Sequence, residues 1–307
     1  TGVLNWIGKI EVDGSINLNT TDALGAGTIN INGNRYFHAY NPVTADSNLF
    51  IGKDAGNFTM AGTGSQASYN VGIGSGTINA LTTGSYNTAI GNNALPANTT
   101  GFGNSALGQF AMATNTTGSE NTAIGLYALR SQSGISNNTA IGSQSFRLNT
   151  TGTGLVAVGF QSGYSNVKGT NNSYFGYQAG YSGTTVVSSI TITNGGTGYT
   201  AGALIVDNTG TGGSGLAGTY TVDGSGTING ITITNVGSGY NSAPTVTPQA
   251  GGSNAVLTPV LSSANENTAT GYQALYSNTY GSRNVANGYQ SLRYNTTGSY
   301  NTANGTY

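Results

Sequence analysis

The pentapeptide Asn87-Thr88-Ala89-Ile90-Gly91 returns as Asn121-Thr122-Ala123-Ile124-Gly125, as Asn138-Thr139-Ala140-Ile141-Gly142 and, altered, as Asn301-Thr302-Ala303-Asn304-Gly305. A chain written in one short unit can bury its apolar residues only against copies of that unit, so it folds as a stacked rod in which each repeat contacts its neighbours. The glycine that closes the motif fixes the period. It runs through Gly52, Gly74, Gly91, Gly103, Gly125, Gly142, Gly159, Gly176, Gly271, Gly288 and Gly305, with steps of 17 residues dominating and Gly103 displaced by five. The step from Gly176 to Gly271 is 95, one period plus 78. The corner motif Asn-Thr-Thr-Gly, which begins at Asn98, Asn115, Asn149 and Asn295, shows the same surplus in its last interval. One foreign block of about 78 residues therefore interrupts a continuous array.

Within a unit, Gly and Asn supply corners because they tolerate positive φ, while Thr-Ala-Ile supplies a short extended piece. The pieces are too short for helix, and Gly, Thr and Asn are costly in one. The expected fold is all-β: a parallel β-solenoid or β-roll of about 11 coils, spanning roughly 50 Å at about 4.8 Å per coil. Alternation along the strand puts Thr88 and Ile90 on one face, with Asn87 and Ala89 on the other. Size and pattern assign the core to an isoleucine ladder (Ile51, Ile73, Ile90, Ile124, Ile141, Val158, Phe175) and a leucine ladder (Leu95, Leu107, Leu129, Leu275, Leu292). Small residues Ala94, Ala106, Ala128, Ala179 and Ala274 lie beside the latter, and Gly91, Gly125 and Gly142 mark the corners. The isoleucine position turns polar at Thr270, Asn287 and Asn304, where stacked amides and hydroxyls must find partners, or an ion. So slim a core gains by burying a further face against identical chains.

Four segments follow. Residues 1–45 lack the period but carry Trp6, Tyr36, Phe37 and Tyr40, as expected of a cap or joint that shields a solenoid end. Residues 46–183 and 262–307 are repeats. Residues 184–261 form the block, which is itself duplicated: Ile190-Thr191-Ile192-Thr193-Asn194 matches Ile231-Thr232-Ile233-Thr234-Asn235, and Gly198-Tyr199 matches Gly239-Tyr240. Its alternating Ile and Thr read as a small two-part β module looped out of one coil.

Charged residues are 6% of the chain and the net charge is −1, so clustered Lys and Arg to hold nucleic acid are missing. With no cysteine there is no disulfide or thiol chemistry. No stretch approaches 18 consecutive apolar residues, so membrane insertion is not expected, and the chain reads as a mature or truncated soluble segment. His38 is the sole histidine. No cofactor, metal site or catalytic set is expected. Asp207 and Asp223 are the one carboxylate pair worth weighing for glycoside hydrolysis or calcium, and spacing alone argues weakly for both. Gly101-Phe102-Gly103-Asn104-Ser105-Ala106 fits a dinucleotide fingerprint, but it lies in the β repeat with no following helix, so it reads as a turn. The glycosylation-like triplets at Asn19, Asn57, Asn98, Asn115, Asn149 and Asn295 read mostly as the repeat's corners.

Candidate contact residues are aromatic. Phe160-Gln161, Tyr177-Gln178, Tyr272-Gln273 and Tyr289-Gln290 place an aromatic row beside an amide row, able to stack on sugar rings or on itself. Tyr199 and Tyr240 sit in the block, which as a lateral insertion is the first candidate for receptor contact.

Repeats with N-T-A-I-G, N-T-A-N-G and G-Y-Q-A-L at this spacing resemble those of bacteriophage tail-fibre proteins. In that family they commonly precede an endosialidase-type chaperone domain that drives trimerisation. The Ala-Ile-Gly element (Ala89 to Gly91, Ala123 to Gly125, Ala140 to Gly142) is also similar to the head repeats of trimeric autotransporter adhesins, although the period here is longer. The resemblance implies a homotrimeric fibre on a virion or cell surface, a host glycan or protein as target, adjacent fibre or tail proteins as neighbours, and a structural or adhesive role. A bacterial adhesin or filament subunit is the alternative, and a polysaccharide-degrading tailspike the less favoured one.

Overall fold

Four backbone positions per repeat take positive φ, and these bend a short extended segment into a closed coil. In the unit around Gly91 they are Tyr86 (φ 59°), Gly91 (φ 131°), Asn93 (φ 49°) and Leu95 (φ 51°). The values near 50–60° lie in the left-handed region that other residues can enter at some cost, whereas φ near 130° is open only to glycine. That is why the glycine recurs and its neighbours vary. Between the bends, backbone amides bond alternately to the coil before and the coil after: Asn93 N–H donates to Ser75 O (2.9 Å) and Leu95 N–H to Ala111 O (3.0 Å).

The computed structural model describes residues 29–31, 34–38, 48–57, 60, 66–249 and 251–307. Among them there is no helix. Strands β1 (Ile29–Ile31) and β2 (Asn34–His38) pair antiparallel, and β2 pairs antiparallel with β3 (Leu49–Ile51). From there the sheet is parallel through β4 (Val71–Ile73), β5 (Thr88–Ile90), β6 (Ser105–Leu107), β7 (Thr122–Ile124), β8 (Thr139–Ile141), β9 (Val156–Val158) and β10 (Ser173–Phe175).

The next six strands form a separate sheet: β11 (Val186–Thr197), β12 (Gly202–Asp207), β13 (Ser214–Val222), β14 (Ile228–Ser238), β15 (Thr245–Pro248) and β16 (Ser253–Ser262). The array then resumes with β17 (Thr268–Thr270), β18 (Val285–Asn287) and β19 (Thr302–Asn304). Strand β17 pairs directly with β10, Phe175 beside Thr270, so the stack is unbroken across the insertion. The whole is a parallel β-solenoid of 17-residue coils, with eleven parallel strands in a thirteen-stranded sheet and a looped-out β module. Of the expected N-terminal cap, Trp6 and Tyr40 lie outside the described residues, while Tyr36 and Phe37 are exposed on β2.

Burial reverses one expectation. The buried residue of each three-residue strand is its centre, as at Ala89, Ala123, Ala140, Ala157, Ala269 and Ala286, and the third residue faces out. Ile124 and Ile141 are each 36% exposed, Phe175 41% and Leu107 45%. The isoleucine ladder, Ile90, Ile124 and Ile141 included, is therefore surface and not core. Alternation had grouped Thr with Ile correctly, but the larger apolar residue does not mark the inside of so narrow a coil. Its interior takes alanine from the strand and a larger side chain from the turn. Leu95 and Leu129 are fully buried, in a row with Ile78, Met112, Phe146 and Leu275.

The displaced glycine is also resolved: Gly108 (φ 136°), not Gly103, occupies the register position, Leu107 belongs to the outward row, and Ala106 pairs in register with Ala89.

Size is balanced between rows. Where Tyr174 replaces alanine, Gly163 and Gly180 replace the leucines beside it, and a Cβ at Gly180 would come within 2.5 Å of the Tyr174 ring. Phe50 repeats the arrangement at the other end, with Gly56 and Gly72 against it.

A second buried network is made of asparagine. Asn104 Nδ2 donates to Asn87 Oδ1 (3.1 Å) and Gly118 O (2.8 Å), and Asn104 N–H donates to the same Asn87 Oδ1 (3.0 Å). The pattern recurs through Asn48, Asn70, Asn87, Asn104, Asn121 and Asn138, and again through Asn172, Asn267, Asn284 and Asn301. A corner asparagine bonds the same glycine carbonyl from the other side, as when Asn115 Nδ2 reaches Gly118 O (2.9 Å).

Three substitutions test this account. A Cβ at Gly125 (φ 132°) would sit 2.5 Å from the Gly142 carbonyl carbon, whereas one at Gly224 meets nothing within 4 Å. Gly125→Ala is expected to destabilise the shaft by about 2–4 kcal/mol and Gly224→Ala to stay within about 0.5 kcal/mol, read by denaturant unfolding. Asn104→Ala, which leaves the Asn121 amide without its acceptor, is expected to cost about 2–4 kcal/mol in the same assay.

Candidate functional surfaces

Three features of the surface bear on function: an apolar stripe on the strand face, stacked aromatic rows beside it, and the module.

The stripe is the outward third residue of each strand, continuous from β3 to β10. Beyond the insertion it turns polar, and Asn287 Nδ2 donates to Asn304 Oδ1 (3.0 Å) on the exposed surface. The expected rung-to-rung amide bond is thus present, but outside the core.

The aromatic row lies just past the register glycine. Phe160, Tyr177, Tyr272 and Tyr289 are exposed and stack on one another, with centroids 5.4, 5.2 and 5.1 Å apart and interplanar angles of 19°, 6° and 8°. Their faces cover each other, so they offer edges and hydroxyls outward. Sugar rings bind aromatic faces, and within this row the faces are taken. Beside it runs the amide row: Gln161 donates to Gln144 (3.0 Å), Gln178 to Gln161 (2.8 Å), Gln273 to Gln178 (3.0 Å) and Gln290 to Gln273 (3.1 Å). A further stack joins Tyr164, Tyr181 and Tyr276, flanked by the guanidinium groups of Arg147 over Tyr164 and Arg293 over Tyr276. Burial and the neighbouring phenols push the Tyr181 hydroxyl above the ordinary tyrosine range.

The module is a six-stranded antiparallel sheet in the order β11-β16-β15-β12-β13-β14, curled until its edges meet: a Cβ at Gly195 of β11 would lie 2.4 Å from Ile228 O of β14. Tyr199 and Tyr240 are corrected here from contact residues to interior ones. Both are buried, Tyr199 against Gly252 and Tyr240 against Gly213, each glycine leaving room for the ring. The Tyr240 hydroxyl accepts from Leu216 N–H (3.1 Å) and donates to Asn208 Oδ1 (3.1 Å). The duplicated Gly-Tyr is thus a packing element of each half. The large apolar side chains that the module exposes are Ile205 on β12 and Val256 and Val260 on β16, among many exposed Thr, Ser and Asn. Its two ends meet at Thr185 Oγ1 and Ser263 Oγ (3.1 Å), and Lys168 Nζ of the shaft donates to Asn241 O of the module.

Asp207 and Asp223 lie toward opposite ends of the antiparallel β12–β13 pair, in which Gly202 stands beside Tyr220, and each closes its own turn. Asp207 Oδ1 accepts from Thr209 N–H (2.9 Å), and Asp223 Oδ1 accepts from Ser225 N–H (2.9 Å), Ser225 Oγ (2.7 Å) and Thr227 N–H (3.0 Å). These bonds, from Thr209 for Asp207 and chiefly from Ser225 for Asp223, hold both carboxyls below the ordinary carboxylate range. A general acid needs the opposite shift.

Among the described residues no three His, Cys, Asp or Glu side chains gather as for a metal. The His38 side chain lies outside the described residues, as does Asn19. Asn98, Asn115 and Asn149 are buried corners. Residues 101–106 form a turn running into β6. A hollow of about 360 Å³ lies between Gln66, Thr83, Ser85, Tyr86, Thr100 and Phe102 and, among the described residues, carries no carboxylate, histidine or lysine.

The buried asparagine row was missed by sequence reasoning, which set Asn87 with Ala89 on the face opposite Ile90 and took the Ile90 face as the core. Its signal was available: an asparagine stands next to nearly every strand at the parity of the buried alanine. Comparison with protein-family models, with curated proteins and with solved structures finds no match to this chain.

Removing one ring tests the stack. Tyr272→Ala, which loses two stacked partners, is expected to cost about 1–3 kcal/mol, and Tyr272→Phe to stay within about 0.5 kcal/mol in thermal unfolding. For Asp223, whose folded pKa is lowered, the turn is fully supported above the unfolded carboxyl pKa near 4 and loses that support as pH falls through the folded value. An NMR titration of the Ser225 and Thr227 amides is expected to give a midpoint below about 4.

Proposed function

We propose that this chain is a structural and adhesive fibre segment: a homotrimeric shaft that spans distance and holds a lateral module against a target surface. The observation that carries the reading is the continuity of the shaft across the insertion. Asn267 Nδ2 donates to Asn172 Oδ1 (3.2 Å) and Asn267 N–H to the same oxygen (2.9 Å), 95 residues apart in the chain, as neighbours 17 apart do elsewhere. The module is therefore added to the rod without interrupting it, which suits a spacer that displays a side domain.

The repeats' resemblance supports a phage tail fibre on the virion, with adjacent fibre or tail proteins above and below and a host glycan or protein as target. The chain's low charge and the lowered carboxyl pKa values fit attachment without turnover. Neither nucleic acid nor membrane insertion enters this reading.

The Thr185 and Ser263 hydroxyls lie 3.1 Å apart, so the module can be removed with little disturbance to the coil. Deleting residues 186–263, the 78-residue surplus, is expected to leave the shaft's β spectrum intact while abolishing binding to host cells in a sedimentation assay. Undiminished binding would overturn the adhesive role of the module. Antibody-labelled electron micrographs of the source distinguish a virion tail from a bacterial cell surface as the owner.

A further inference from the structure

The uncharged stripe on the strand face changes character once along its length. Up to Phe175 its members are apolar, with Leu107, Ile124, Ile141 and Phe175 exposed and Ile51, Ile73, Ile90 and Val158 half-buried. After it come Thr270, Asn287 and Asn304, all exposed. We propose that this stripe is where copies of the chain associate, and that the apolar-to-asparagine switch makes them associate parallel and in register. The inference rests on the fibre reading above and specifies its face and its direction.

The partner follows from the spacing. From β3 to β10 one apolar side chain projects per coil, about every 4.8 Å over roughly 35 Å, and a surface with holes at that repeat over that length is offered by a second coil stack of the same kind. An exposed apolar patch this long on a soluble chain marks an interaction site, and the absence of charge along it is what the centre of an interface requires. The strand face, roughly 50 Å by 10 Å in projection, together with the flanking Phe160 and Tyr177, approaches the area per partner of a stable interface, about 800 Å².

Direction follows from the switch. In a parallel, in-register pair, Asn287 and Asn304 meet their own counterparts and can exchange the amide bond they already make along the chain. In an antiparallel pair they press against Ile73 and Ile51, where a buried amide has no partner. A slip of one coil sets Thr270 against Phe175 of the neighbour. Polar positions in apolar seams specify alignment in this way in coiled coils.

The chain has no cysteine, so single cysteines report the arrangement directly. In the full chain, Ile90→Cys is expected to link to itself on oxidation. A mixture of Ile90→Cys and Thr270→Cys chains, which would meet across an antiparallel pair, is expected to give no mixed product. Adding Asn287→Ile and Asn304→Ile is expected to raise the mixed product by about tenfold or more. Ile124→Glu with Ile141→Glu, both on the exposed face, is expected to give monomers with an unchanged β spectrum. An oligomer that survives those charges overturns the face, and an oligomer whose Ile90→Cys chains fail to self-link overturns the alignment. An unchanged mixed product in the double isoleucine variant overturns the switch. A monomeric parent chain in sedimentation instead removes the fibre of identical chains itself, a separate outcome from the other three.

Discussion

The asparagine side chain buried in nearly every coil is the interaction on which the rest depends. Its oxygen accepts two donors from the next coil, the backbone amide and the side-chain amide, and its own amide reaches a glycine carbonyl at the corner. The coil boundary is thereby fixed in three directions at once, which three-residue strands with at most a few ladder bonds apiece cannot do alone. Buried amides are tolerated only when every donor and acceptor is matched, so a one-residue slip would leave several unmatched on each coil. Register in this shaft is enforced by polar matching more than by apolar volume. Leu155, which replaces the asparagine once, still donates its backbone amide to Asn138 Oδ1 (3.0 Å) and fills the space with a side chain instead.

How much of this was legible follows from what a repeat encodes. Gly91 and its copies announced period, corner and parallel stacking together, because φ near 130° excludes every residue but glycine, and Ile190 with Ile231 announced an inserted β module. The inside of the coil was less legible. Alternation separates two faces without naming the buried one, and bulk is a poor guide where Ala89 faces Leu95 across a narrow interior. The interior had room for one large side chain per coil, and Leu95 at the turn already supplied it. Ile90 was left outside. Tyr174 and Phe50 obey the same volume limit by making glycines of their neighbours, a compensation visible only once the rows are aligned. Tyr199 and Tyr240 were misplaced for a related reason: an aromatic in a looped-out segment suggests a contact residue until the facing Gly252 and Gly213 reveal a socket.

The two aromatic stacks and the glutamine row show how a sequence of low charge can keep an extended surface ordered. Each repeats one side chain at the coil spacing, so a ring or amide that would otherwise be solvated singly is held by the copies above and below it. Stacking consumes the ring faces and leaves hydroxyl edges outward. The resulting flank is aromatic in composition but polar in what it presents, unlike the isoleucine stripe, whose side chains neighbour one another along the ladder but present only apolar surface outward. Two rows that look alike as apolar letters therefore differ in how much they gain from a second chain.

The insertion shows why such a shaft can carry a domain sideways. Contacts in a solenoid run between adjacent coils, so a coil tolerates extra chain wherever its two ends return to the same point. Here the module supplies that return itself. Its apolar cluster, including Val187, Leu204, Tyr220 and Val246, is separate from that of the shaft, and its curled sheet brings Thr185 beside Ser263. A disordered loop of the same length would pay closure entropy that grows slowly with length, and a folded one avoids most of it by holding its own ends together. The asparagine row then closes across the gap as though the intervening residues were absent. Shaft and module are thus separable in energy although continuous in chain, which lets the surface of one change without disturbing the register of the other.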